Sequence, residues 1–254
     1  MARTRSESVL SGSSTPAPQG NSHSVHNEIL LSLPSREYDL VFPQLEFVDL
    51  PTHERLSETG EPIQHGYFVN GGLASVLSVM ASGKSVEVGL TGKEGLVGLP
   101  LVVGLNTSAN RVVMQVAGSA FRVPRASLVR LLVECPQLER KLNRYAQEFG
   151  LQSSQAAACN RLHGVEQRLA RWLLMSQDRL GGDLVPLTQE FLAHMLGTRR
   201  ASVTVAAGVL QDADLIGYSR GAITIVDRGK LEAAACECYE IMTQQSRNWK
   251  NESR

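Results

Sequence analysis

Two short helices separated by Gly197 are predicted over residues 187–210, and this stretch constrains the fold of the chain most. Thr188 is expected to cap the first helix and Thr198 the second, because a threonine oxygen accepts a hydrogen bond from the free N–H groups at a helix start. Glycine at the junction permits the tight turn that two closely packed helices require. Ala193 is small and lets the helices approach. The pattern therefore predicts a helix-turn-helix.

The second helix is predicted to have an apolar face and a polar face. The inward face consists of Val203, Ala206, Ala207 and Leu210. The outward face begins with Arg199, Arg200, Ser202 and Thr204. Side chains of these polar types hydrogen-bond to phosphates and base edges when a recognition helix enters the major groove. A helical hairpin with solvated arginines is the alternative that these residues alone leave open.

Two short strands are predicted directly behind the second helix. The runs 215–218 and 222–226 are rich in apolar residues and flank Ser219-Arg220-Gly221. A hairpin at this place is typical of a wing, and Arg220 at its tip is placed to reach a DNA phosphate. The hairpin therefore favours DNA binding over the simple helical pair.

Composition limits how such a protein binds its partners. The 254 residues carry a net charge of +0, so any DNA contact must use a local patch. The four cysteines are too few and too scattered for a disulfide framework, and they fit a reducing cytoplasm. No apolar run approaches the roughly 18 residues of a membrane span. We therefore expect a cytoplasmic protein without a membrane partner.

A series of short strands is predicted between about residues 45 and 123, because glycine-bearing turns break short apolar or alternating runs there. Residues 1–26 are expected to form a disordered tail, and short helices are expected near 27–33 and 36–43. The clearest hairpin turn is at 81–84. The predicted strands are Leu45–Leu50, Tyr67–Val69, Leu73–Met80, Ser85–Leu90, Arg111–Ala117 and Ala120–Pro124.

A long helix is predicted from Pro136, with apolar positions that step by four and three residues for about three heptads. A helix with so narrow an apolar stripe, beside a small β-domain, commonly pairs with its own copy. We interpret it as a dimer helix, and packing on its own β-domain is the alternative. The predicted dimer contacts are Leu138, Leu142, Tyr145, Phe149, Gln152, Ala156 and Cys159.

Further helices are predicted at 165–180 and, after the wing, at 229–245. In this order the chain resembles the Crp/Fnr family of bacterial transcription regulators, named after the cyclic-AMP receptor protein and the fumarate–nitrate reduction regulator. The resemblance covers residues 27 to about 240 and implies an α+β fold. Together with the sequence patterns, it predicts a disordered tail 1–26, a cyclic-nucleotide-binding-like β-roll 27–135, a dimerisation helix 136–160, a winged helix-turn-helix 161–245 and a frayed tail 246–254.

The resemblance implies sequence-specific binding of double-stranded DNA by a homodimer, with RNA polymerase as a further partner. Arg200 aligns with an arginine that contacts a guanine in the family. Where the family often has a glutamate and a second arginine, this chain has Ala201 and Val205, which suit thymine methyl groups. We therefore expect an operator unlike the family's commonest half-site. The implied DNA-contacting residues are Thr198, Arg199, Arg200, Ala201, Ser202, Thr204, Val205 and Arg220.

The effector region departs from the cyclic-nucleotide binders of the family, which surround the cyclic phosphate with a Gly-Glu pair and an Arg-Ser pair. Here Gly98 is not followed by glutamate, and Arg111 is not followed by serine. The β-roll is therefore not expected to bind cyclic AMP in the usual way. Ser153 and Ser154 align with residues that touch the nucleobase. Together with Arg111 they form the candidate pocket of an alternative, effector-dependent regulator whose effector is unknown.

No metal site, cofactor or enzymatic activity is expected. The iron–sulfur sensors of the family carry an N-terminal cysteine cluster, whereas residues 1–40 contain no cysteine. The six histidines show no ligand spacing, and the pair Cys236 and Cys238 is expected to be inert within a C-terminal helix. Neither a nucleophile–base constellation nor a phosphate loop is apparent. A dimeric interaction module without DNA binding is a second alternative, against which Arg199 and Arg200 argue.

Overall fold

The computed structural model describes residues 23–219 and 221–252, and it confirms the α+β class with a large sheet followed by helices and a small sheet. None of the described helices is long and apolar enough to cross a membrane. The helices are α1 Glu28–Leu31, α2 Ser35–Val41, α3 Arg125–Glu134, α4 Pro136–Leu162, α5 Val165–Leu180, α6 Gln189–Met195, α7 Arg200–Asp212, α8 Arg228–Ala234 and α9 Cys238–Asn251. The strands are β1 Glu46–Leu50, β2 Arg55–Ser57, β3 His65–Val79, β4 Ser85–Thr91, β5 Leu96–Val97, β6 Arg111–Pro124, β7 Leu184–Val185, β8 Ile216–Ser219 and β9 Ala222–Ile225.

Strands β3 and β6 are long and continuous, and they form the middle of the large sheet, whose order is β1-β6-β3-β4. The prediction of two short strands in place of each was wrong, because glycines bend these strands without ending them. The pairing register shifts between Val69 and Leu73. A Cβ added at Gly118 would collide with the Gly71 carbonyl, so the two backbones approach at a distance that only glycine permits.

The other strands flank this central pair. The predicted hairpin between β3 and β4 is confirmed: the Met80 N–H donates to the Lys84 carbonyl at 2.8 Å, and Gly83 has a φ of 79°. Strand β1 lies where the sequence predicts it. Strands β2 and β5 were not predicted, because runs of three and two residues are too short to show an alternating pattern.

The N-terminal segment is anchored to the sheet by Asn27, which is fully buried. Its side-chain amide donates to the carbonyls of Val69 and Gly95 at 2.9 Å each. Its side-chain oxygen accepts the Leu30 N–H at 3.1 Å and so caps α1. Residues 1–22 of the predicted tail lie outside the described residues.

Helix α4 lies with its apolar stripe against its own chain, which buries six of the seven predicted dimer contacts. Gln152 exchanges hydrogen bonds with the Leu90 backbone at 3.2 and 3.1 Å. The Phe149 ring lies so close to Gly89 of β4 that a Cβ at this position would collide with it. Glycine therefore lets the helix lie directly on β4. Phe149 is half-buried against the sheet. The contacts that are buried within the chain are Leu138, Leu142, Tyr145, Gln152, Ala156 and Cys159.

The opposite face of α4 is exposed and carries small and polar residues with the same four-and-three spacing. We call it the open stripe, and it consists of Asn143, Gln147, Gly150, Ser154, Ala157 and Arg161. The four-and-three period of α4 was thus predicted correctly, and its apolar face covers the chain's own sheet, which is the alternative that the sequence left open.

The C-terminal part begins as predicted with α5 and then departs from the prediction. The last helix expected at 229–245 is two helices, α8 and α9, separated by residues 235–237. Helix α9 continues to Asn251, so the tail expected to be frayed from 246 is helical as far as that residue. Arg144 on α4 donates to the Trp249 carbonyl at 3.0 Å and holds this end of α9 in place.

A buried carboxyl group joins the large sheet to α5. The indole N–H of Trp172 donates to Oε1 of Glu87 at 2.7 Å, and the Ser75 hydroxyl donates to Oε2 at 2.7 Å. Desolvation by burial raises the pKa of Glu87 to about 7, although these hydrogen bonds and the charges of Arg171 and Arg179 act in the opposite direction. Glu87 therefore exchanges its proton near neutral pH inside the contact between the two parts of the chain.

Replacing Glu87 by glutamine should remove a pH dependence of stability between about pH 4.5 and about pH 7. The pKa of Glu87 in the folded state lies above the ordinary glutamate value of 4.5, so in this window the folded state keeps a proton that the unfolded state has lost. The contribution of Glu87 is full below the unfolded pKa and is lost as the pH rises through the folded pKa, by at most about 3 kcal/mol. Urea unfolding of wild type and Glu87→Gln, at about pH 4.5 and about pH 8, measures the difference.

The matched control is Glu139→Gln, the same chemical change at an exposed position on α4. Glu87→Gln should flatten the pH profile and the control should not. Parallel profiles for wild type and Glu87→Gln would contradict the proton uptake inferred for this buried contact.

Candidate nucleic-acid interface

Helices α6 and α7 form the predicted helix-turn-helix. The Thr188 hydroxyl caps α6 by accepting a first-turn N–H at 3.3 Å, as expected. Gly197 has a φ of 57°, the left-handed conformation that the tight turn requires. The predicted cap at Thr198 was wrong by one residue: its N–H still closes the turn onto the Ala193 carbonyl at 3.0 Å, and Arg199 occupies the cap position without a capping side-chain bond.

The inward faces of the two helices are buried together, as their apolar spacing predicts. Leu192 of α6 and Leu196, which caps the end of that helix, lie in the same core as α7 and Trp172. This packing fixes which face of α7 is turned outward. The buried residues of α7 are Val203, Ala206, Ala207 and Leu210.

The outward face of α7 contains the residues predicted to contact DNA. Val205 is 66% exposed, so this apolar side chain is available for a partner's methyl group. The Thr204 hydroxyl donates to the Arg200 carbonyl one turn earlier at 3.1 Å. Thr198 and Ser202 are half-buried at the edge of this face. The exposed members of the predicted set are Arg199, Arg200, Ala201, Thr204 and Val205.

A wing follows α7, as predicted. Strands β8 and β9 pair antiparallel, and β7 adds a third strand in the order β7-β9-β8. Gly221, with a φ of 83°, lies in the turn between β8 and β9. Arg220, the predicted phosphate contact at the wing tip, lies outside the described residues.

The residues of the candidate effector pocket are bonded elsewhere. Arg111 Nε donates to both carboxylate oxygens of Glu58, at 3.1 and 2.9 Å. The Thr59 N–H and the Arg111 guanidinium hold the pKa of Glu58 at about 2, so this ion pair persists across physiological pH. The Ser154 hydroxyl is exposed and donates to a carbonyl of its own helix at 3.0 Å, and Ser153 is half-buried beside it.

A cavity of about 270 Å³ lies instead where α4, α5 and α9 meet the loop after β4. Arg179 forms part of its wall, ion-paired with Glu94 at 2.8 Å and donating to Gln152 at 3.3 Å. Tyr239 of α9 also lines it. Sequence reasoning missed this cavity because its walls come from four separate parts of the chain.

A second feature missed by the sequence reasoning lies at the end of α4. Cys159 and His163 meet Cys236 and Cys238, and their four donor atoms lie within 4.8 Å of one another. This grouping was not predicted from the sequence, because its donors come from two segments that the fold brings together. The available signal was a Cys and a His four residues apart at the end of one helix, combined with a Cys-x-Cys pair.

These elements define a class by fold: a β-roll joined by a long helix to a C-terminal winged helix-turn-helix. Residues 167–234 match the family model of the Crp-like helix-turn-helix domain. The matched segment contains α6, α7 and the wing. It is therefore a Crp-like helix-turn-helix domain.

Solved structures extend this likeness to the whole fold. A putative Crp/Fnr-family regulator from Eubacterium rectale is 15% identical, with 82% of this chain and 98% of that chain covered and a TM-score of 0.64. FixK2 from Bradyrhizobium japonicum is 17% identical, with 76% and 98% covered and a TM-score of 0.66. A CRP-family regulator from Thermus thermophilus is 19% identical, with 74% and 96% covered and a TM-score of 0.60. Curated proteins gave no match.

The resemblance stated from the sequence is thus confirmed. The chain has the fold of the Crp/Fnr regulators and carries their type of helix-turn-helix domain.

Proposed function

We propose that the protein is a sequence-specific DNA-binding transcription regulator that acts as a homodimer in the cytoplasm. The observation that carries this proposal is the outward face of α7, which is exposed and begins with Arg199 and Arg200. A helix N-terminus adds partial positive charge and free N–H groups, both of which attract phosphate. Cations placed there suit a DNA backbone and a guanine edge.

The exposed residues of α7 divide by chemistry into positioning and reading contacts. Arg200, the first residue of the helix, is suited to bidentate bonding with a guanine, and Arg199 before it to a phosphate. Ala201 and Val205 lie one turn apart on the same exposed face. Their apolar surfaces suit thymine methyl groups, so the half-site combines a guanine with nearby thymines.

Although the net charge of the chain is zero, positively charged side chains lie in one groove beside α7. Lys84, in the turn between β3 and β4, lines the same groove as Arg200. Glu190 lies in that groove too and sets a limit to its positive potential. We infer that the β-roll turn contributes a phosphate contact beside the recognition helix.

The open stripe of α4 is the surface we propose for dimerisation. Its four-and-three spacing follows one side of the helix, and Gly150 and Ala157 leave room for a second helix to approach closely. A two-fold pair of such helices would present two copies of α7 to half-sites about 34 Å apart, one turn of DNA. The apolar stripe stays on the β-roll in this arrangement.

The β-roll in this proposal does not bind cyclic AMP in the usual way. The Arg111 guanidinium is already neutralised by Glu58 and is not free to receive a cyclic phosphate. The alternative of an effector-dependent regulator therefore needs a site other than Arg111, Ser153 and Ser154. An interaction module without DNA binding would have no use for two exposed arginines at the start of α7. RNA polymerase is the further partner we expect of a regulator.

Arg200→Ala should weaken binding to the selected operator by about 1–3 kcal/mol and remove preference at one base position. Arg199→Ala should weaken binding to all sequences alike and reduce the salt slope by about one unit, as loss of a phosphate contact does. Fluorescence anisotropy on operator and scrambled duplexes, over a range of salt concentrations, separates the two effects.

Arg36→Ala provides the matched control, because Arg36 is an exposed arginine on α2 in the β-roll part. Its operator affinity should equal that of the wild type. Wild-type affinity in both Arg199→Ala and Arg200→Ala would contradict α7 as the reading helix.

Ala157→Glu should convert the dimer to a monomer, because two copies of the new carboxylate would face each other across the two-fold axis. Light scattering after size-exclusion chromatography measures the mass. Ala233→Glu on α8 makes the same change at another exposed alanine and should remain dimeric. A dimeric Ala157→Glu variant would place the interface elsewhere.

A further inference from the structure

Four side chains with metal-binding atoms converge where α4 ends. Cys159 lies in the last turn of α4 and His163 directly follows that helix, whereas Cys236 lies in the link between α8 and α9 and Cys238 is the first residue of α9. The Sγ atoms of Cys159 and Cys236 are 3.4 Å apart, and Cys238 Sγ lies 3.6 Å from His163 Nδ1. The cluster is thus compact and involves two separate segments.

These separations suit a single tetrahedral ion. With metal–sulfur bonds of about 2.3 Å and metal–nitrogen bonds of about 2.0 Å, tetrahedral geometry puts two sulfurs about 3.8 Å apart and sulfur and nitrogen about 3.5 Å apart. An iron–sulfur cluster would hold thiolates on different irons farther apart. A disulfide requires a sulfur–sulfur distance of about 2.05 Å and would leave His163 unused.

The histidine is already oriented as a ligand. Its Nδ1 points to the thiols, and its Nε2 lies 3.2 Å from Oε1 of Glu237. A carboxylate on the far nitrogen of a metal-binding imidazole fixes its orientation and raises its basicity. Glu237 lies between the two cysteines in sequence, so one short turn supplies two sulfur ligands and the histidine's partner.

Positive charge lies near the cluster, because the guanidinium groups of Arg168 and Arg171 interact electrostatically with Cys159. Arg168 and Arg171 are buried, and the Nε of each has no hydrogen-bond partner among the described residues. Three thiolates on a divalent ion carry a net charge of −1, which would compensate buried guanidinium charge.

We propose that Cys159, His163, Cys236 and Cys238 bind one Zn²⁺ ion in a closed, structural site. Sulfur and imidazole donors are those that zinc prefers, and four protein ligands leave no open position for substrate, as in structural rather than catalytic sites. The three cysteines are buried, and the His163 side chain is 14% exposed.

The ion would fasten the end of α4 to the link between α8 and α9. That contact sets the angle between the long helix and the winged helix, because α5 begins two residues after His163. An effect of zinc on operator affinity rests on the proposed function, whereas zinc binding itself does not.

The full-length protein, purified under reducing conditions with Zn²⁺ present, should contain one zinc per chain by mass spectrometry of metals. Replacement of the zinc with Co²⁺ should give the strong visible absorption of a tetrahedral thiolate site. Cys236→Ser and Cys238→Ser should each lose the metal. Cys135→Ala, which alters the remaining buried cysteine, should keep it.

Glu237→Gln keeps all four ligands and is 66% exposed in its side chain, so it tests the site without a folding defect. It should weaken zinc affinity by about 10-fold in competition with a chelator. Folded, reduced wild-type protein that takes up neither Zn²⁺ nor Co²⁺ would overturn the proposal, as would full zinc content in both cysteine variants. These readouts involve no DNA, so loss of operator binding alone would count against the proposed function and not against the zinc site.

Discussion

The contact between α4 and its own β-roll is the interaction on which the rest of the structure depends. The apolar stripe of this helix lies on β4, where Gly89 leaves room for the Phe149 ring and Gln152 bonds to the Leu90 backbone. Because that face is covered by the chain's own sheet, the other parts of the helix can contact further elements. Helix α9 packs along it, the cysteine–histidine cluster closes its end, and the open stripe is left for a partner.

The second support is the docking of the winged helix on the sheet through α5. Trp172 inserts between the two parts and bonds to the buried Glu87. A carboxyl group in such a place is costly when charged, which makes the contact responsive to protons near neutral pH. Because the winged helix docks on the sheet through α5, the outer face of α7 stays exposed. The buried face of α7 belongs to the same core as residues of the large sheet.

Several features that depend on local sequence pattern were predicted correctly. The turn at Gly197, the cap at Thr188 and the faces of α7 follow from helix period and backbone chemistry, and the wing follows from strand and turn signals. Glycine was the main source of error in the sheet. At 71–72 and 118 it marks bends in strands that continue, and a single sequence does not distinguish a bend from a turn.

Features that depend on the meeting of distant segments could not be predicted in the same way. The heptad spacing of α4 identifies a buried face but not what buries it. The partner of Arg111 could not be identified from the sequence, because Glu58 lies on a remote loop. The cluster of Cys159 with Cys236 required the break between α8 and α9, which apolar periodicity does not show.

The most direct test of the central claim is selection of DNA from a random duplex library by the purified full-length protein. The account predicts enrichment of a two-fold symmetric motif whose half-site centres lie about 10 base pairs apart, each half with a guanine next to thymine-containing positions. A library that shows no enriched motif after repeated rounds, although the protein is folded and dimeric, would contradict the assignment of this chain as a DNA reader.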